Sequence, residues 1–257
     1  MTRSRATRKS RQQANIPLNK KKSQSPLITL DHLVELQPLT ENQEKLFAAY
    51  DEGKNIVAHG YPGTGKSLSL IYKALEEVLD PSTPYKRVIV VRSTVATRDI
   101  GFLPGSISEK IAEFEVPYKY MIKNLFDFNS DEKYEMLYGN LKAQKSFYFM
   151  PTSFIRGMTI DEAVIIVDEF QNLSYHELES IITRVGVDSK IHFSGDIAQS
   201  DLIKKSEKDG AALFLKILGQ MESFETINFG IDDIVRSNLV KEYIVAKHNL
   251  GLFSEPS

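Results

Sequence analysis

Short apolar runs alternate with stretches of helical periodicity from about residue 40 onward. Six runs rich in β-branched and aromatic residues predict strands: 55–59, 87–92, 146–150, 163–168, 190–194 and 224–229. The run Ala163-Val164-Ile165-Ile166-Val167 has no polar interruption, which suits a strand buried on both faces of a parallel sheet. Between the strands, apolar positions recur at helical spacing. In 66–79, Leu68, Ile71, Leu75 and Val78 share one face. Further helices are expected from Thr40 to near Gly53, over 106–127 with a break at Pro117, over 174–184, over 209–217 and over 232–248. Thr40-Glu41-Asn42-Gln43 and Ser174-Tyr175-His176-Glu177 read as capping boxes. Residues 128–145 are polar and mixed, and no element is assigned there. Strands alternating with helices predict an α/β fold with a mainly parallel sheet between helices. Ligands of such sheets bind at the C-terminal ends of the strands.

Composition adds limits. Of 257 residues, 42% are hydrophobic and 26% charged, as in globular proteins with a sizeable core. No apolar run approaches the length of a membrane span, and the N-terminus lacks the apolar segment of a secretory signal. Cysteine is absent, so disulfides and thiol chemistry are excluded and a reducing cytoplasm is the expected location. Charge is unevenly placed. Residues 1–22 carry eight of the 32 basic residues and no acid, leaving 24 basic against all 34 acidic residues in the rest. A segment this polar cannot order itself by burial. The expected organisation is a disordered basic tail over 1–27 and one folded domain over 28–257. The tail reads either as an arm seeking RNA, DNA or anionic lipid, or as a solvated leader.

One motif carries chemistry of its own. Gly60-Tyr61-Pro62-Gly63-Thr64-Gly65-Lys66-Ser67 is a complete G-x-x-x-x-G-K-[ST] phosphate-binding loop between a predicted strand and a predicted helix. Its backbone N–H groups can wrap a polyphosphate, and the following helix aims its positive end at the same anion. In this pattern Lys66 reaches the β- and γ-phosphates and the Ser67 hydroxyl holds Mg²⁺. About 100 residues on, the apolar run ends in Asp168-Glu169. Asp168 is placed to hold the same Mg²⁺, and Glu169 to polarise an attacking water. A metabolite kinase is a third reading of such a loop, but Glu169 followed by Gln171-Asn172 favours water over an acceptor hydroxyl.

These pieces, with others in fixed order, resemble the PhoH-like family, whose motor is related to superfamily-one helicases. The matching segments are Gln43, Gly60–Ser67, Val91-Arg92, Gly101-Phe102-Leu103-Pro104-Gly105, Arg156-Gly157-Met158-Thr159, Val167–Asn172, Gly195–Asp201 and Asp233–Ser237. The resemblance implies a single RecA-like P-loop NTPase domain acting on ATP with Mg²⁺, with links to RNA. It also implies roles by position. Gln43 reads the adenine edge, Gln199 senses the γ-phosphate and Arg236 is the arginine finger. Arg92 and Arg156 contact nucleic acid or support the site. The stretch Ser93–Asp99 departs from the family's usual sequence after Arg92, and contacts from that loop do not carry over.

The expected activity is an ATPase motor on single-stranded nucleic acid, RNA favoured. Tyr118, Tyr120 and Phe102 are candidates for base stacking. A monomeric helicase grips its strand between two such cores. One core therefore implies a homo-oligomeric ring, a hexamer among the candidate sizes, with Arg236 acting in trans. The alternative is an ATP-gated module that binds nucleic acid or protein without unwinding.

Overall fold

In a computed structural model, the structure describes residues 28–94, 107–127, 130–196 and 205–251, with backbone only for 107–110 and 205–209. Six strands form one sheet: β1 (Asn55–Gly60), β2 (Arg87–Arg92), β3 (Phe147–Pro151), β4 (Ala163–Asp168), β5 (Lys190–Gly195) and β6 (Phe224–Phe229). Their order is β3-β2-β4-β5-β1-β6, and every pairing is parallel. The helices are α1 (Glu41–Asp51), α2 (Lys66–Leu79), α3 (Ile107–Asn124), α4 (Asp131–Ala143), α5 (Tyr175–Ile182), α6 (Lys205–Leu218) and α7 (Asn238–Asn249). The α/β core with a parallel sheet between helices is therefore as the sequence predicts.

Period-two alternation sorts the strand residues into two cores. Ile56, Ala58, Val88, Val90, Val164 and Ile166 face α1, α2, α3 and α4. Val57, Ile89, Val91, Ile165, Val167 and Phe193 face α5 and α6. The central strands are apolar on both sides because helices cover both. All six residues of β4 are buried.

Three expectations need correction. Pro117 does not break α3, which runs through it to Asn124. Proline removes one intrahelical donor, but Tyr118 and Ile122 on the adjoining turn are wholly buried against the sheet, and that packing holds the helix together. Residues 131–143, which the sequence pattern leaves unassigned, form α4. Tyr134, Leu137, Tyr138 and Leu141 are its buried stripe, and Ser130 caps its start by accepting from the Lys133 N–H. The last helix begins at Asn238, not at 232. Residues 231–233 form a single 3-10 turn instead. The Val235 N–H donates to the Gly63 carbonyl at 3.0 Å, so this backbone serves the phosphate loop rather than a helix.

The sheet order positions the site. The loop after β1 and the acidic end of β4 flank the end of β5, which lies between those two strands. Register brings Asp168 opposite Ser194 and His59 opposite Gly195. At Gly60 the chain turns with φ +132°, and a Cβ there would lie 2.1 Å from the Phe229 carbonyl oxygen, so no side chain fits. No helix among the described residues is long and apolar enough to cross a membrane.

Candidate nucleotide and metal site

β1 delivers the chain into the loop and α2 carries it away. Gly65 is the N-cap of α2 in the left-handed conformation, with φ 83° and no side-chain cap. The first turn of α2 thus presents backbone N–H groups toward the loop hollow, as anion binding requires. The hollow opens into a cavity of about 490 Å³ lined by Pro62–Leu68, Asp168, Glu169, Ser194–Asp196 and Arg236.

Lys66 is buried, and its ammonium donates to the Tyr61 carbonyl at 2.5 Å and to Thr64 Oγ1 at 3.2 Å. Burial lowers its pKa, against the opposing pull of Asp196, Asp168, Glu169 and Asp233. An ammonium whose hydrogen-bond partners among the described residues are uncharged oxygens, at the mouth of a glycine-rich loop, is well matched to a polyphosphate. Its neighbour His59 is held neutral by burial and by Lys66, with its pKa lowered to about 4.

The Ser67 hydroxyl joins the loop to β4, donating to Asp168 Oδ1 at 2.8 Å, and it lies 2.9 Å from Ser194 Oγ. A hydroxyl and a carboxylate at this separation are the hard oxygen donors that Mg²⁺ takes alongside phosphates and water. The donor set fits Mg²⁺ and does not fit a soft metal. Among the described residues no group of three His, Cys, Asp or Glu forms a separate cation site.

Glu169 sits at the strand's end in the left-handed region, φ 53°, a conformation uncommon for a non-glycine residue. Its Oε2 accepts from Gln171 Nε2 at 2.6 Å. Burial raises its pKa and Asp168 adds to the rise, while Arg92, Gln171 and Lys66 oppose it. Arg92, at the end of β2, lines the same cavity. Burial works against its charge, but Tyr118, Glu169 and Asp168 outweigh that and raise its pKa.

Gln43 is buried on α1 and uses both ends of its amide. Its oxygen accepts from the Leu39 N–H at 2.8 Å, and its nitrogen donates to the Thr64 carbonyl at 2.9 Å. Only half of the expected capping box forms: Thr40 accepts from the Gln43 N–H at 3.4 Å, but the Gln43 side chain reaches Leu39, not Thr40. The amide ties α1 to the phosphate loop.

Arg236 lies at a bend before α7 rather than on the expected helix, and its stem rests on its own loop: a Cβ on Gly63 would lie 2.6 Å from Arg236 Cγ. Tyr61 meets α7 as well, its hydroxyl 2.5 Å from His248 Nδ1. Gln199 and Gly101–Gly105 lie outside the described residues. Arg156 stands apart, in a second cleft with Thr94, Thr152, Ser153 and Ser180.

Tyr118 differs from its expected role. It is wholly buried, and its hydroxyl donates to Asp168 Oδ2 at 2.7 Å, so it cannot stack on a base. Burial and the Asp168 charge, opposed by Arg92, push its pKa far up and so keep it a donor. Tyr120 is 65% exposed and keeps the stacking geometry open. The signal for Tyr118 is the spacing Pro117, Tyr118, Met121 and Asn124, one face of α3 that forms a wall of the cavity.

A PhoH-like protein model matches residues 35–247, from before α1 into α7. The chain belongs to the PhoH-like family. Among its relatives, a PhoH-like protein of Mycobacterium leprae is 30% identical over 90% of this chain and 66% of its own length. A PhoH-like protein of Bacillus subtilis is 29% identical over 80% of this chain and 62% of its own. Protein PhoH of Escherichia coli is 30% identical over 81% of this chain and 57% of its own. The chain thus spans about three-fifths of the length of these PhoH-like relatives. Solved structures are more distant. The large terminase of a thermophilic bacteriophage, in complex with ADP, is 15% identical, with a TM-score of 0.47 over 80% of this chain and 49% of that one. Unliganded Pif1 from Bacteroides sp. is 17% identical, with a TM-score of 0.37 over 83% of this chain and 46% of that one.

Proposed function

We propose that this PhoH-like chain is a Mg²⁺-dependent ATPase whose turnover is coupled to single-stranded nucleic acid, RNA favoured. The observation that carries the reading is the 2.8 Å contact between the Ser67 hydroxyl and Asp168, with Glu169 as the next residue. It joins a phosphate loop, a hard-cation donor pair and a candidate base in one crevice. When bound, Mg²⁺ held by Ser67 and Asp168 would neutralise charge developing on the transferred group.

The chain's own groups divide the remaining work. The loop N–H groups and Lys66 bind and orient the phosphates. Ser67 and Asp168 provide the metal's protein ligands. Glu169, held by Gln171, polarises water and takes its proton. Arg236 is expected from the sequence to act in trans, but its stem rests on Gly63 of its own loop, which favours a role in cis, supplying positive charge to the phosphates of its own chain. Gln43 reaches the adenine by exchanging its contact with Thr64 or Leu39 for the base edge. Gln199 reports the γ-phosphate to neighbouring loops.

The domain is proposed to run from residue 28 to 257, with 1–27 as a basic tail that engages phosphates. A parallel sheet of this kind offers one wall to a strand, and a second copy in a closed ring would offer the other. The test is an ATPase assay with single-stranded RNA, single-stranded DNA or neither, with oligomer size measured in the same buffers. Stimulation by RNA is expected. Turnover that no nucleic acid changes, with binding that ATP changes, would favour the ATP-gated module instead.

A further inference from the structure

The carboxylate of Asp168 is held at both oxygens. Oδ1 accepts from Ser67 of the phosphate loop at 2.8 Å, and Oδ2 accepts from Tyr118 of α3 at 2.7 Å. The Tyr118 ring is itself fixed, with no exposure to solvent and a stack on Phe149 at 5.5 Å. We propose that Tyr118 is a positioning residue for the metal: it holds Oδ2 of Asp168 so that Oδ1 stays aimed at the cation beside Ser67. This rests on the Mg²⁺–nucleotide reading above.

The geometry separates two kinds of contact. The Ser67 bond lies on the side where a cation would sit, so that hydroxyl must turn its proton away when metal arrives. The Tyr118 bond lies on the other oxygen, at the α3 wall of the cavity, and can persist in both states. A carboxylate with one oxygen anchored has fewer orientations to lose on binding metal. Outer hydrogen bonds of this type typically contribute about 10-fold or more to metal affinity. Because Tyr118 belongs to α3, the same bond ties the wall of the cavity to the metal ligand. Pro117, Met121 and Asn124 line that wall beside it.

The experiment measures binding of a fluorescent, non-hydrolysable ATP analogue to the full chain across a Mg²⁺ titration, with EDTA as the metal-free reference. Tyr118→Phe keeps the ring and deletes the hydroxyl. The expected result is a Mg²⁺ midpoint raised about 10-fold, with metal-free nucleotide affinity unchanged. Phe149→Leu removes the stacking partner and leaves the hydroxyl, and is expected to leave the midpoint within about twofold of wild type. In an Asp168→Asn background, Tyr118→Phe should produce no further shift. An unchanged midpoint in Tyr118→Phe overturns the inference. So does a Phe149→Leu shift of equal size, which would mean that packing alone is responsible. If wild type itself shows no Mg²⁺-dependent gain in analogue affinity, the nucleotide reading fails first, and the two failures are thereby distinguished.

Discussion

In the proposed function, Lys66 and Glu169 serve the same phosphate group in different ways. As proposed, Lys66 is a direct charge contact in the ground state, within a hollow that already partly desolvates it. Replacing it by Ala should weaken ATP binding by about 10-fold or more, as expected for losing a charge-assisted hydrogen bond. Equilibrium titration with a labelled nucleotide reads this directly. Glu169 is proposed to act mainly in the transition state. Glu169→Gln should keep ATP affinity within about twofold and lower kcat by about 100-fold or more, measured by phosphate release. Normal turnover in that variant would remove Glu169 as the base. His192 has a different consequence. It is fully buried, stacked on Tyr50 at 4.7 Å, and accepts the Ile56 N–H at 3.0 Å. Burial, aided by Lys190, lowers its pKa from 6.5 to about 3. The unfolded chain therefore binds a proton that the folded chain refuses. The contribution to stability is full above about pH 6.5 and is lost as pH falls toward the folded value, at up to about 1.4 kcal/mol per pH unit. Urea unfolding across pH 4–7 should show this slope, and His192→Asn should reduce it, leaving the share of His59, whose pKa is also lowered by burial.

At the scale of elements, the phosphate loop is held from three sides. α1 grips it through Gln43, the segment before α7 grips it through the Val235 N–H, and β6 packs so close at Gly60 that only hydrogen fits. Gly60→Ala should therefore cost on the order of 2–4 kcal/mol and impair nucleotide binding together with stability, because the clash is with backbone that cannot move aside. Thermal melts with and without nucleotide measure both effects. The strands and α2 are legible in the sequence because their apolar runs and turn residues agree with their environment. α4 is written there too, in Ser130 and the spacing of Tyr134, Leu137, Tyr138 and Leu141, but its polar outer face masks the stripe. The start of α7 and the continuity of α3 through Pro117 are not legible. In each, a tertiary contact overrides a local preference: the Gly63 carbonyl for one and the buried Tyr118 and Ile122 for the other.

For the whole molecule, charge separation sets the expectation. The remainder of the chain is acidic, and residues 1–22 are wholly basic among their charged positions. If the tail pairs its eight basic residues with phosphates, deleting it should reduce the log–log salt slope of binding to single-stranded RNA by up to about 6. An unchanged slope would assign the tail no such role. The sequence by itself determined the α/β class, the phosphate loop and the acidic end of β4, because each is written in contiguous residues with a fixed physical period or pattern. Only the tertiary structure decided who meets whom. It turned Tyr118 from a stacking candidate into a donor to Asp168, gave Gln43 two backbone partners and laid Arg236 on its own loop. Those contacts join residues distant in the chain, and no local pattern encodes a distance that arises only when the sheet order folds three strand ends into one crevice.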